Sequence, residues 1–258
     1  MDILCIASQK GGVGKTALAL NLGWAFARAG ARALVMDVDP QSGLSRSVAS
    51  QLVRRRGFSD VIDNQATWND VIIPTRLEGF SLLPLGRVEP WEAAAFEAKL
   101  TDGKAFDALY NALNERFDIL IIDTPAGLGA ATIASLRAAD FVISPIQAEP
   151  GSLRAATPLL ETINHLAQSE DYAPAFLGFV LTMVNRQDKV SRTVVQEAWS
   201  AFPEDLLFET TIARDSLFLE STSKGVPVGA LGSKGRRLGL SFEQLVAELQ
   251  SRMEAFDE

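Results

Sequence analysis

Gln9-Lys10-Gly11-Gly12-Val13-Gly14-Lys15-Thr16 decides how this chain is read, because the run describes a phosphate cradle with two lysines. It follows a short apolar segment, Ile3-Leu4-Cys5-Ile6-Ala7. It precedes Ala17-Leu18-Ala19-Leu20-Asn21-Leu22-Gly23-Trp24-Ala25-Phe26, which reads as helix. A strand, a glycine-rich turn and a helix N-terminus in that order are what a nucleotide phosphate needs. Gly11, Gly12 and Gly14 let backbone N–H groups, those of Val13 and its neighbours included, turn towards phosphate without Cβ clashes. Lys15 reaches the β- and γ-phosphates, and the Thr16 hydroxyl is a ligand for Mg²⁺. The usual pattern has glycine where Gln9 stands, and the additional lysine, Lys10, makes this version specific. A glycine-rich turn that merely caps a helix explains one or two of the glycines, not the ordered set.

Composition narrows the class. At 258 residues with a hydrophobic fraction of 47%, the chain suits one α/β domain spanning residues 1–258, with enough apolar material for a large core. The first residues run directly into the first strand, so neither a signal peptide nor an N-terminal DNA-reading domain is expected. No segment approaches the roughly eighteen uninterrupted apolar residues of a membrane span. The single cysteine, Cys5, excludes internal disulfides and is consistent with the cytoplasm. The net charge of −8 disfavours a uniformly basic surface but leaves room for local basic patches. The sole histidine, His165, falls in a helical stretch and receives no catalytic role.

Along the chain, Arg32 to Asp37 reads as a buried strand ending in a carboxylate, and Phe80 to Leu85 as another strand. Arg54-Arg55-Arg56-Gly57 and Asp60 to Asn69 read as polar connections around a short helix. Pro90 to Leu100 reads as helix, and Phe106 to Arg116 as an amphipathic helix with Phe106, Leu109, Tyr110 and Leu113 at helical spacing. Ile119-Leu120-Ile121-Ile122-Asp123 is the most apolar strand and again ends in an aspartate. Phe141 to Ile143 and Phe176 to Met183 continue the alternation. Near-continuous apolar strands separated by helices predict a mostly parallel, twisted sheet with helices on both faces. Ligands of such sheets bind at the carboxyl ends of the strands, where Asp37, Asp39 and Asp123 fall.

These residues carry a resemblance. Lys10 to Thr16 matches KGGxGK[ST], the signature of the deviant Walker A ATPases of the ParA/MinD family, which are P-loop NTPases. Asp37-Val38-Asp39-Pro40-Gln41 resembles the family's DxDPQ, and Ile121-Ile122-Asp123-Thr124-Pro125 resembles its Walker B strand. The resemblance implies Mg²⁺-dependent ATP hydrolysis that is slow and partner-stimulated, in an ATP-dependent homodimer whose Lys10 reaches the partner's ATP. It implies that Asp39 orients the attacking water, that Asp37 supports the metal shell with Thr16, and that Asp123 holds Mg²⁺. Ala17 replaces a frequent second threonine, and its N–H still serves the α-phosphate. Asn185 matches the position that reads the adenine, while Ala213 replaces a proline beside it. One cysteine counts against the nitrogenase iron-protein branch, and two tyrosines against the tyrosine-kinase branch.

In this family the surface that the dimer binds separates the branches. Phe242 to Glu258 is amphipathic, but Glu243, Glu248, Glu254, Asp257 and Glu258 give it the wrong sign for anionic lipid, so it reads as a packing helix. Resemblance to ParA-like members implies non-specific DNA contacts from Arg186, Lys189, Arg192, Arg214, Lys224, Lys234, Arg236 and Arg237, with interspersed acids arguing for an ordinary solvated face. The leading expectation is a cytoplasmic, nucleoid-associated ATPase that positions or partitions DNA or large protein cargo through a stimulating partner or cargo adaptor. The alternative is an accessory ATPase of an envelope polysaccharide machine, since Trp68 to Arg87 loosely resembles the ParA-like protein of bacterial cellulose synthesis. A ligase of the dethiobiotin synthetase kind shares the phosphate loop and has no use for Lys10.

Overall fold

In the computed structural model, which describes residues 1–41, 43–44, 55–170 and 172–257, the first apolar run forms strand β1 (Asp2–Ile6). It lies inside a seven-stranded sheet with β2 (Ala33–Asp37), β3 (Ile73–Pro74), β4 (Phe80–Leu83), β5 (Ile119–Asp123), β6 (Phe141–Gln147) and β7 (Ala175–Thr182). The strand order is β3-β4-β2-β5-β1-β6-β7, and every pairing is parallel except the short antiparallel β3–β4 edge. Successive connections from β1 go to one side and later ones to the other. The carboxyl end of β1 is therefore a switch point, where open α/β sheets bind ligands.

The period of two in the strands splits the core into two layers. Leu4, Ile6, Val35, Leu82, Ile119 and Ile121 face the layer shared with α1 (Lys15–Arg28) and α10 (Arg236–Asp257). Ile3, Cys5, Leu34, Met36, Leu83, Leu120 and Ile122 face the layer containing Phe96 of α4 (Ala93–Leu100), Leu109 of α5 (Lys104–Leu113), Leu136 of α6 (Ala130–Ala138) and Leu159 of α7 (Ala156–Ser169). A third, smaller cluster, with Phe179 and Ala198, seats α8 (Lys189–Ala201) beside β7. Both faces are covered, as a parallel sheet requires.

Local chemistry moves some boundaries from their expected places. Pro90 lies in a turn, closed by Glu92 accepting the Glu89 N–H at 3.0 Å, and α4 starts only at Ala93. Gly103, at φ 75°, starts α5 two residues before Phe106. The Asp60–Asn69 connection contains two short helices, α2 (Phe58–Ile62) and α3 (Trp68–Val71), joined by the Phe58–Trp68 ring stack. Arg54 of the basic run lies outside the described residues. Trp68 to Arg87 supplies α3, β3 and β4 at the sheet edge.

The C-terminal helix is a packing helix: Phe242, Leu245, Val246, Leu249 and Met253 are all buried. Part of its acidity is spent internally. Glu248 accepts the backbone N–H groups of Glu209 at 2.8 Å and Thr210 at 3.1 Å. Its neighbour Arg252 donates to the carbonyls of Leu177, Asp205 and Leu207 and lies 4.0 Å over the Phe208 ring. Gly178 makes room for it, since a Cβ there would stand 2.9 Å from the guanidinium. Arg252→Ala leaves those carbonyls without their donor and is expected to cost about 2–3 kcal/mol. Urea unfolding measures this, and a loss below about 0.5 kcal/mol would mean that the helix is held by its apolar face alone.

Candidate functional site

The loop from Ser8 to Gly14 leaves β1 and enters α1 at Lys15. Gly12 and Gly14 adopt φ 75° and 95°, values that side chains beyond Cα disfavour. A Cβ on Gly12 would meet nothing within 4 Å, so its glycine serves conformation and not packing. Gly11 instead lies under the loop after β5, where a Cβ would come 3.3 Å from that of Ala126. Val13 is buried, and its carbonyl accepts the Thr182 hydroxyl at 2.9 Å, which ties the loop to the end of β7. Thr124 does the same on the other side, donating to the Ile6 carbonyl at 2.8 Å. The cradle is thus held from two strands before any ligand enters.

Sheet register brings the acidic groups to it. Asp123 is the direct partner of Ile6 on β1 and of Asp37 on β2. Asp37, Asp123 and Lys15 are all buried. Burial pushes the Lys15 ammonium pKa down, with Asp123 and Asp39 opposing that shift. Burial pushes the Asp123 carboxyl up to about 7, against the pull of the Thr16 hydroxyl and the Lys15 charge. Burial, reinforced by Asp123, raises Asp37 well above the ordinary carboxylate range.

The two buried carboxylates differ in what they touch. Asp37 accepts the Asp39 N–H at 2.9 Å with one oxygen and the Leu44 N–H at 3.2 Å with the other. Neither oxygen of Asp123 has a donor at ordinary hydrogen-bond distance among the described residues, the Thr16 hydroxyl acting on it only weakly. A buried carboxylate with no donors is costly, and such groups call for a functional explanation. Among the described residues no three His, Cys, Asp or Glu side chains gather to hold a metal by themselves. That suits Mg²⁺, which takes one or two protein ligands and completes its shell with water and substrate phosphates. Thr16 and Asp123 fit that donor set. Asp39, half-buried, accepts the Gln41 N–H at 2.8 Å with one oxygen.

Lys10 projects to the other side. Its ammonium donates to Ser152 Oγ at 3.1 Å and Gln147 Oε1 at 3.4 Å, and stands 4.0 Å from Glu149. Glu149 also holds Arg214 at 3.6 Å. Gln147 ends β6, beyond the expected Phe141–Ile143 strand, and nothing in the sequence pattern pointed to Glu149 or Ser152. Beside the loop lies a cavity of about 450 Å³ lined by Val13, Gly14, Ala17, Met183, Ala213 and Phe218 among others. Met183 there has φ 54°, an uncommon backbone state for a non-glycine residue and one that gathers at ligand sites. Asn185 does not line this cavity. It is exposed, and its Oδ1 accepts the Gln187 N–H at 3.1 Å.

All eight basic residues expected to meet DNA are exposed, but they are not equivalent. Arg237 pairs with Asp215 at 2.7 Å, Lys224 with Glu220 at 2.7 Å, Lys234 with Glu220 at 3.9 Å, and Arg214 with Glu149. Arg192 donates to the Arg186 carbonyl at 2.9 Å. Arg186, Lys189 and Arg236 make no ion pair among the described residues.

Residues 1–173 match the family model described as an AAA domain. The chromosome partitioning protein ParA of Caulobacter vibrioides is 33% identical over 235 residues, covering 88% of this chain and 86% of that protein. The sporulation initiation inhibitor protein Soj of Bacillus subtilis is 30% identical, covering 88% and 89%. Among solved structures, the ATP complex of a McdA variant from Cyanothece superposes with TM-score 0.80 at 23% identity, over 97% of this chain and 96% of that one. Cobyrinic acid a,c-diamide synthase from Mycobacterium smegmatis, with bound ADP and magnesium, gives TM-score 0.78 at 26% identity, over 98% and 96%. With the double-lysine loop and the aspartates at the ends of β2 and β5, these relatives place the chain in the ParA/MinD family of P-loop ATPases.

Proposed function

We propose that this protein is an ATP-gated dimeric switch that positions or partitions DNA or a large cargo, with the ATP-bound dimer holding duplex DNA without reading its sequence. The observation that carries the reading is one loop with two lysines in opposite situations. Lys15 is buried beside Asp123 and Asp39, whereas the Lys10 side chain is 40% exposed and held by its own subunit's polar groups. A buried lysine serves the nucleotide of its own subunit. An exposed one, on a loop at the edge of the site, is placed to serve a neighbour.

The chemistry follows from positions. Phosphoryl transfer to water asks mainly for alignment and charge neutralisation. The loop N–H groups and the Lys15 ammonium receive the phosphate charge, and the base enters the apolar cavity beside Ala17 and Phe218. Thr16 and Asp123 would hold Mg²⁺, which supplies further neutralisation of the phosphate oxygens when bound. Asp39 spends one oxygen on Gln41 and uses the other to accept a proton of the attacking water. Lys10 exchanges its contacts with Ser152, Gln147 and Glu149 for the partner's phosphates. The ion pair with Glu149 is half-exposed and 4.0 Å long, and the hydrogen bond to Gln147 is long at 3.4 Å, so the exchange costs little.

The same weakness governs the basic surface. Arg237, Lys224 and Lys234 are themselves exposed, are tied only to the partly buried carboxylates of Asp215 and Glu220, and can trade them for DNA phosphates, while Arg186, Lys189 and Arg236 need no such trade. Dimerisation doubles the contacts and turns weak attraction into useful affinity. The chromosome-partitioning role of the ParA relative from Caulobacter vibrioides supports this reading over an envelope accessory.

Lys15→Ala removes the buried cation and is expected to abolish ATP binding by calorimetry; unchanged affinity would overturn the assignment of the loop. Asp39→Ala is expected to bind ATP and sediment as a dimer while hydrolysing at least about a hundredfold more slowly. A nucleotide-loaded monomer would contradict that role. Arg236→Glu is expected to weaken ATP-dependent DNA binding equally for unrelated duplexes and to flatten its salt dependence by about one unit per subunit. No DNA shift by ATP-loaded wild type at low salt would remove DNA from the account.

A further inference from the structure

The geometry points to Asp37 as a positioning residue for the loop after β2, not as a ligand of the metal shell. The inference rests on the ATPase reading above, and its evidence lies in the hydrogen bonds of the two buried aspartates. Asp37 and Asp123 are paired residues on adjacent strands, equally buried, at the same end of the sheet. Of the two, Asp123 is the one whose oxygens have no donor at ordinary hydrogen-bond distance among the described residues. Asp37 uses one oxygen for the N–H two residues ahead and the other for the N–H seven residues ahead. A single carboxylate thereby pins both ends of the Asp39–Leu44 segment to the end of β2.

What that segment carries gives the pin its function. At the near end stands Asp39, the carboxylate that orients water. At the far end Leu44 is 1% exposed and packed in the same core layer as Leu18 and Leu22 of α1. Next to it, Gly43 lies so close to Thr16 that a Cβ would stand 2.9 Å from the Thr16 hydroxyl oxygen. The backbone of the loop therefore lies against the hydroxyl that serves the metal. Fixing Leu44 sets how closely Gly43 covers Thr16, and fixing the Asp39 N–H sets where its side chain starts. Asp37 thus aligns the metal-side hydroxyl and the water-orienting carboxylate with each other. A carboxylate suits the task because it accepts at both oxygens, whereas an amide accepts at one and donates at the other. In Asp37→Asn one of the two N–H groups would face an NH₂ and lose its partner.

Hydrogen exchange and a Mg²⁺ titration test this together. In the wild type, the Asp39 and Leu44 amides are expected to be protected with neither nucleotide nor Mg²⁺ present. Asp37→Asn is expected to lower protection at one of them about tenfold, as loss of a charge-assisted hydrogen bond does, and to lower kcat by a similar factor. The Mg²⁺ concentration at half-maximal nucleotide affinity should stay within about twofold of wild type, because the metal ligands are untouched. Asp123→Asn should do the reverse, moving the Mg²⁺ midpoint about tenfold or more with both amides still protected. The proposal is overturned if Asp37→Asn shifts the Mg²⁺ midpoint as far as Asp123→Asn. It is equally overturned if the wild-type amides gain protection only once Mg²⁺ and nucleotide are bound. Should Asp37→Asn not fold, the wild-type exchange decides alone. Failure of the wild type to bind nucleotide with Mg²⁺ would instead sink the ATPase reading and leave the exchange result to decide the role of Asp37.

Discussion

The Asp123 carboxylate, buried at the end of β5 with no donor at ordinary hydrogen-bond distance among the described residues, is the constraint around which the rest of the molecule is arranged. Left alone, a carboxylate in that position costs several kcal/mol and takes up a proton. Here it is offset in part by the buried Lys15 ammonium, which is itself held below its ordinary pKa by burial. Under the proposed function, a polyphosphate beside Lys15 and a cation beside Asp123 would offset the burial cost of both groups. Bringing the two groups together requires β1 and β5 to be neighbours in register, which the crossover connections of a parallel sheet provide.

Much of this was legible in the sequence, and the reasons are physical. The phosphate loop is local: its glycines, lysine and threonine must stand at fixed offsets, so spacing alone identifies it. Strands β1, β2, β5, β6 and β7 are buried on both faces and therefore appear as unbroken apolar runs. The packing role of α10 followed from its stripe of Phe242, Leu245, Leu249 and Met253. Groups joined across long separations were not legible. Gln147 and Ser152 approach Lys10 from 137 and 142 residues away, and only the tertiary fold brings them there. The two-residue strand β3 and the inward use of Glu248 leave no periodic trace either. Asn185 is a motif position that the structure places outside the cavity beside the phosphate loop, with its Oδ1 accepting the Gln187 N–H.

The surface has its own logic. With a net charge of −8, the chain has no general attraction to polyanions, and its densest set of late cations lies on α9 (Leu217–Lys224), the segment through Lys234 and the start of α10, with Arg186 and Lys189 apart from it near the start of α8. Several cations of that set are already paired with Asp215 and Glu220. Asp215 also lines the cavity beside the phosphate loop, so that cavity and the set of late cations share a residue. Among the described residues no helix is long and apolar enough to cross a membrane.

The central claim is that Lys10 completes the partner's site while Asp39 completes its own. Mixing Lys10→Ala with Asp39→Ala subunits tests it most directly, because each variant is inactive by itself under this account. In a mixed dimer, the site on the Lys10→Ala subunit keeps its own Asp39 and receives Lys10 from its partner, while the other site lacks both. An equal mixture with random pairing should therefore recover about a quarter of wild-type ATP turnover. A mixture as inactive as its components, with mixed dimers demonstrated by sedimentation, would show that Lys10 acts within its own subunit and would contradict the account.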